Sequence, residues 1–179
     1  MSDISPAYLK LVELASRSRQ NADDLPAQAK AKTFWTGVGF TLDGNQYVAS
    51  MDEISEILSV PRFTQVPGVQ TWVRGISNVR GRLMPVMDLL TFLNKKSDMQ
   101  WKRRRLLVIE SGELYSGLVV DRVLGMQHFT EDSFVEELPA SYGVTKDYLR
   151  GGYTSEKGVW GLFSLYKLAS DPRFLNVAS

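Results

Sequence analysis

Three groups of residues have types that do chemistry. His128 is the single histidine, set between Gln127 and Phe129. A general base of a triad needs a nucleophile partner, and no serine here sits in a strand–turn–helix elbow. One histidine also cannot build a multi-histidine metal site, so a strand histidine with a satisfied ring is the plain reading. A hydrolase would have to combine His128 with Glu110, Glu113, Asp121, Glu131, Asp132, Glu136 and Glu137. Most of these fall at turns, and the last four share one acidic stretch, whereas paired catalytic carboxylates need rigid elements facing one cleft. The third group is basic. Lys95-Lys96 and Lys102-Arg103-Arg104-Arg105 flank Trp101. Cations beside an aromatic ring can hold phosphates and stack a base, so a nucleic-acid module using the 95–105 loop is the alternative of a different class. Nothing repeats the pattern, and a solvated loop is the simpler expectation. Glycine patterns for nucleotide phosphates are missing, and Gly151-Gly152 reads as a bulge within a strand. No cofactor or metal is expected, and no catalytic residue is assigned.

Bulk properties point the same way. The 179 residues carry 21 Lys and Arg against 20 Asp and Glu, a formal charge of +1. No global field therefore drives the chain toward nucleic acid or an anionic membrane. Cysteine is absent, which excludes disulfides and thiolate chemistry and fits a reducing compartment. No apolar run approaches the length of a membrane span, and the first residues lack the form of a signal peptide. A cytoplasmic protein is expected, with no membrane insertion.

The elements that position these residues change character along the chain. Ser5-Pro6 reads as a cap and first helical residue, and Tyr8, Leu11, Val12 and Ala15 mark one face of an amphipathic helix. Residues 1–33 are thus expected to form a helical arm, packed on the body or presented to a partner. From Phe34 the period becomes two. Val38, Phe40 and Leu42 alternate, Asp43-Gly44-Asn45 turns, and Gln46 to Ala49 returns. A short turn from Met51 leads into a strand that Pro61 ends, and Phe63 to Val66 reads as a brief strand. Trp72 to Val79 and Leu83 to Met87 are apolar runs joined by Arg80-Gly81-Arg82, where Gly81 can supply a positive φ. Asp88 stands at the cap of the short helix that follows. Leu106 to Ile109, Leu114 to Val120 and Arg122 to Phe129 read as consecutive strands. Thr130 to Tyr142 reads as an acidic loop, Tyr148 to Tyr153 and Val159 to Phe163 as a final pair, and Ser164 to Ala169 as a capped helix. Many short strands with Gly and Pro turns argue for an all-β body.

Three blocks then carry a resemblance. Tyr47, Met51, Ile54, Glu56 and Ile57 form the first. Gly75, Asn78, Arg80, Gly81, Pro85, Asp88 and Leu89 form the second. Gly117-Leu118-Val119-Val120-Asp121 and Val123 form the third. In this order, over about Phe34 to Ser170, the chain resembles the CheW family of bacterial chemosensory adaptors. Trp35 to Phe40, Pro67 to Trp72 and Gly125 to Phe129 bring it nearer to the branch serving type IV pilus twitching motility than to adaptors of flagellar chemotaxis arrays. The resemblance implies a mainly β fold of two intertwined SH3-like five-stranded barrels spanning 34–170, with the helical extension before it and a tail over 171–179. It implies a non-enzymatic scaffold. Its partners would be the regulatory domain of a CheA-like histidine kinase and the cytoplasmic tip of a methyl-accepting chemoreceptor, within membrane-bound receptor arrays. Carried over by position, Arg80 and Glu56 would meet the kinase. Ile54, Ile57, Val123 and Met126 would line a receptor groove, although each also suits a barrel core. Arg80 could instead pair internally with Glu56 or Asp88, while Asp88, Gly75 and Gly81 read as structural.

Overall fold

The computed structural model describes residues 33–112 and 114–179. The helical arm expected over 1–33 lies outside them, apart from Thr33. Eleven strands follow in order among the described residues: β1 (Phe34–Leu42), β2 (Asn45–Ser50), β3 (Glu56–Ser59), β4 (Val73–Val79), β5 (Arg82–Asp88), β6 (Arg105–Ser111), β7 (Leu114–Val120), β8 (Arg122–Thr130), β9 (Phe134–Val135), β10 (Leu149–Ser155) and β11 (Gly158–Phe163). Three short helices punctuate them: α1 (Leu89–Phe92), α2 (Leu165–Ala169) and α3 (Pro172–Leu175).

The strands form two sheets. One has six strands in the order β8-β1-β2-β11-β10-β9, and the other five in the order β3-β6-β7-β5-β4. The chain starts in the first sheet, builds the whole of the second, and returns to complete the first. The return begins with β8, antiparallel beside β1, and ends with β11, parallel beside β2, while β7 joins β5 in parallel within the second sheet. Neither sheet is therefore a simple meander, which is the sense in which they intertwine. The sixth strand of the first sheet comes from the stretch expected to be a loop. Phe134 and Val135 pair with Tyr153 and Gly152, and the Phe134 ring packs edge-on against Tyr153 at 5.4 Å. Gly151 makes room for it, because a Cβ there would fall 2.6 Å from the Phe134 ring. The shift of register between Leu149 and Gly152 is the bulge expected at the glycine pair.

Alternation decides where the cores lie. On β6 and β7, Leu107, Ile109, Leu118 and Val120 point into a core shared with Phe40, Leu42, Tyr47, Ala49 and Phe163 of the first sheet. Their neighbours Leu106, Val108 and Val119 point the other way, into a second core with Met84 and Val86. Both faces of these strands are buried, so they read as unbroken apolar runs. The first sheet has its own outer core of Val48, Phe129, Tyr153 and Trp160. The result is one core between the sheets and one behind each.

One C-terminal side chain, Phe174, also enters the central core. Asp171 caps α3 by accepting from the Arg173 backbone N–H at 2.8 Å, with Pro172 at the first helical position. Phe174 is fully buried and stacks on Trp72 at 5.5 Å. Residues 171–179, expected as a tail, thus pack against the body. A bridge between Val69 and Ala178 continues that contact. Tyr148 donates to Asp171 Oδ2 at 2.5 Å, and Arg173 holds the same carboxylate at 2.8 Å. The Arg173 hydrogen bond keeps the Asp171 carboxyl well below the usual carboxylate range, with the Tyr148 bond acting in the same sense. Burial, reinforced by Asp171, pushes the Tyr148 hydroxyl well above its usual range.

Candidate functional site

The β4–β5 hairpin sets up an exposed charged pair. Val79 faces Arg82 across the ladder, so Arg80 and Gly81 alone make the turn. Both have positive φ, 51° and 84°, the pattern of a tight two-residue hairpin turn. Asn78 Oδ1 accepts from the Gly81 N–H at 2.8 Å and fixes the turn. The backbone therefore aims Arg80 outward, with its side chain 78% exposed, and Arg80 Nη2 donates to Glu56 Oε1 at 2.5 Å. Glu56 lies on β3, at the opposite edge of the sheet order from the hairpin. A contact between the two edges means that the five-stranded sheet curls round on itself, as a small barrel does. Of the two internal partners weighed for Arg80, Glu56 is the one found.

Asp88 is taken by another arginine. Arg104 is only 3% exposed, and its Nη1 and Nη2 donate to the two Asp88 oxygens at 2.9 Å each. Arg104 Nε faces Asp121 Oδ1 at 3.6 Å, an ion pair too long for a hydrogen bond. Asp88 also accepts from the Thr91 N–H at 3.4 Å, so it caps α1 as expected. Asp121 accepts from Ser97 Oγ and from the Asp43 N–H. One guanidinium thus ties the end of β5, the β7–β8 corner and the 95–105 segment together where the chain passes between sheets. Lys102 and Arg103 are exposed as expected, but Arg104 is not, so the solvated-loop reading fails for it. That also removes one cation from the nucleic-acid alternative. No pattern in the sequence distinguished Arg104 from its neighbours.

The four apolar positions divide. Ile54, in the turn before β3, and Val123, on β8, are half-buried and pack on the central core. Ile57 on β3 and Met126 on β8 are exposed, 40% and 55%. β3 and β8 are edge strands of their sheets, so Ile57, Val123 and Met126 lie on edge strands. On the hairpin, Arg82 pairs with Glu110 at 3.0 Å and lies 3.8 Å over the Tyr115 ring, beside the exposed Leu83. His128 Nδ1 meets Thr36 Oγ1 at 2.8 Å on the ladder, a satisfied strand histidine.

The CheW-like domain model matches residues 36–173, which is most of the chain and spans both sheets. The chain belongs to the CheW-like family. It is 44% identical over 178 residues to Protein PilI of Pseudomonas aeruginosa, covering 99% of each chain. It is 32% identical over 95 residues to the chemotaxis protein CheW of Thermotoga maritima, covering 53% of this chain and 62% of that one. The fold matches the crystal structure of the scaffolding protein TtCheW from Thermoanaerobacter tengcongensis with a TM-score of 0.63 at 22% identity, over 73% of this chain and 88% of that chain. The two-sheet arrangement is thus a CheW-like fold, and the three blocks of the sequence fall within the matched region. Among the described residues, no helix is long and apolar enough to cross a membrane.

Proposed function

We propose that this CheW-like protein is a non-enzymatic scaffold that couples the cytoplasmic tip of a chemoreceptor to the regulatory domain of a CheA-like histidine kinase, in a pathway controlling twitching motility by type IV pili. The observation that carries the reading is the likeness to PilI over 99% of both chains. In this reading the protein works in the cytoplasm at membrane-bound receptor arrays, and it carries out no reaction. Arg80 and Glu56 form the kinase face. Their pair is exposed and fixed by a rigid turn, so a partner can meet it without reorganising the backbone. Ile54, Ile57, Val123 and Met126 line the receptor groove, the last three from edge strands and Ile54 from the turn before β3, and the unbranched Met126 suits a surface that must adapt to a helical tip. A body whose sheets share one core holds two partners in fixed relative geometry. A receptor shift then biases the kinase between its states, because only differential contacts can move such an equilibrium.

Titration calorimetry of the protein with the regulatory domain of the kinase from the same pathway tests this, beside Arg80→Ala. Binding by the wild type that weakens several-fold in a folded Arg80→Ala variant supports the kinase face. Unchanged binding moves Arg80 to another role. No binding at high concentration overturns the kinase partnership.

A further inference from the structure

Beside the central core lies a basic depression whose cations none of the assigned roles uses. On β3, Ser59 stands opposite Arg105 and Ile57 opposite Leu107. Alternation therefore places Arg105 on the same sheet face as Ile57 and Leu107, the face that looks toward the other sheet. From that other sheet, β8 begins with Arg122 and Val123, opposite Thr41 and Phe40. Val123 packs on the central core. Between them lies a concavity of about 440 Å³ lined by Met99, Lys102, Arg103, Arg105, Arg122 and Val123. Four of its six lining residues are cations, and none is a carboxylate.

What sets this depression apart is that four cations gather in it with no carboxylate beside them; Arg62, Arg74, Lys96, Lys146, Lys157 and Lys167 also lack an ion pair among the described residues, but none of them lines it. Arg80, Arg82, Lys95, Arg104, Arg150 and Arg173 each stand within ion-pair reach of an aspartate or glutamate. Among the described residues, Lys102, Arg103, Arg105 and Arg122 have no such partner, and Arg105 donates only to the carbonyls of Arg103 and Arg104. Clustered like charge repels itself and adds nothing to folding. With a formal charge of +1 over the whole chain, the cluster is not a sample of a general excess. Met99 and Val123 are the apolar members of the lining. Val123 belongs both to it and to the receptor groove, so the two surfaces are continuous.

We propose that this depression is the polar end of the receptor groove, and that it recognises acidic side chains on the flank of the helical receptor tip. The proposal rests on the groove reading given above. Charge complementarity selects carboxylates, and the continuity with Ile57 and Val123 selects a helix that carries apolar and acidic residues side by side. Exposed cations on long side chains suit carboxylates spread along such a helix. Rim charges of this kind act mainly on association rate and salt dependence, so the depression would set which receptor is chosen more than how firmly the apolar contacts hold.

The test uses the full chain and the soluble cytoplasmic hairpin of the receptor from the same pathway, with affinity read at low and at high salt. The variants are Arg103→Glu/Arg122→Glu for the depression and Ile57→Asp for the groove, and melting curves check that each is folded. The expected result is about tenfold or greater weakening for the double variant at low salt, with most of the salt dependence gone and kinase-domain binding unchanged. Replacing an acidic residue of the hairpin tip with arginine should then restore part of the lost affinity. If Ile57→Asp abolishes binding while the double variant matches the wild type at both salts, the depression is refuted and the groove stands. If neither variant changes the affinity, or the hairpin does not bind, the groove reading falls and this proposal with it. If the cations instead prove necessary only for a single-stranded oligonucleotide or for anionic vesicles, phosphate is the ligand and the proposal is overturned.

Discussion

Replacing Arg104 with methionine should destabilise the fold by about 3–5 kcal/mol, the usual cost of removing one partner from a buried ion pair. The structure sets the size. The Arg104, Asp88 and Asp121 side chains are all nearly buried, and a single guanidinium serves both carboxylates. Methionine has a similar length and fills the space, so packing loss is small and the change isolates the charge. It leaves Asp88 with only the Thr91 N–H at 3.4 Å, and Asp121 with Ser97 and the Asp43 N–H. Two carboxylates then share the interior with no cation. Against a typical domain stability of about 5–15 kcal/mol this is a large loss. The assay is urea unfolding followed by far-ultraviolet circular dichroism, which avoids the altered surroundings of Trp101, whose ring centre lies 5.2 Å from Arg104 Cζ. The double variant Arg104→Met/Asp88→Asn should cost less than the sum of the single changes, with a coupling of about 1–3 kcal/mol, because asparagine keeps the helix cap and removes the stranded charge. A loss below about 1 kcal/mol for Arg104→Met, or strict additivity in the cycle, would refute the view that this triad holds the sheet crossover together.

Further expectations follow from other elements. Gly75 has φ 146°, and a Cβ there would fall 2.2 Å from the Thr64 carbonyl oxygen, so Gly75→Ala should lower stability by about 2 kcal/mol or more in the same unfolding assay. Phe174→Ala should cost about 3–5 kcal/mol, since the ring is buried between Trp72 and Phe92, whereas a dispensable tail would show almost no change. The Asp171 carboxyl is depressed in the folded state, chiefly by the Arg173 hydrogen bond. Its contribution is therefore complete above the unfolded value near about pH 4 and is lost as pH falls further. Asp171→Asn should flatten the fall in stability below about pH 4 measured by urea midpoints, while leaving the α3 cap largely intact. Arg80→Ala should change stability by only about 0–1 kcal/mol, because its pair with Glu56 is solvent-exposed; a larger loss in thermal melts would make the turn, rather than a partner, the reason for this residue.

What the sequence determined was local. Period-two alternation and turn residues are written in consecutive positions, so most strands and the hairpin at Arg80-Gly81 were legible, whereas the strand expected over Phe63 to Val66 is only an isolated bridge at Thr64 and β9 lies in an expected loop. So were the Asp88 cap and the Gly151-Gly152 bulge, and the three ordered blocks were enough to point to the family. The sequence could not say which strands become neighbours. β8 pairs with β1 across about ninety residues, and β11 with β2 across more than a hundred, and pairing at such separations is chosen by the total burial of both faces rather than by any local signal. The same holds for charges. Arg103, Arg104 and Arg105 look alike in the chain, yet only Arg104 meets Asp88 and Asp121, because strand pairing brings the ends of β5 and β7 to that one position. The tertiary structure likewise took Phe174 out of an expected tail into the core, since it finds Trp72 and Phe92 only once the two sheets have closed around them. A side chain's type is fixed by the sequence, but its desolvation and its partners are properties of the assembled cores.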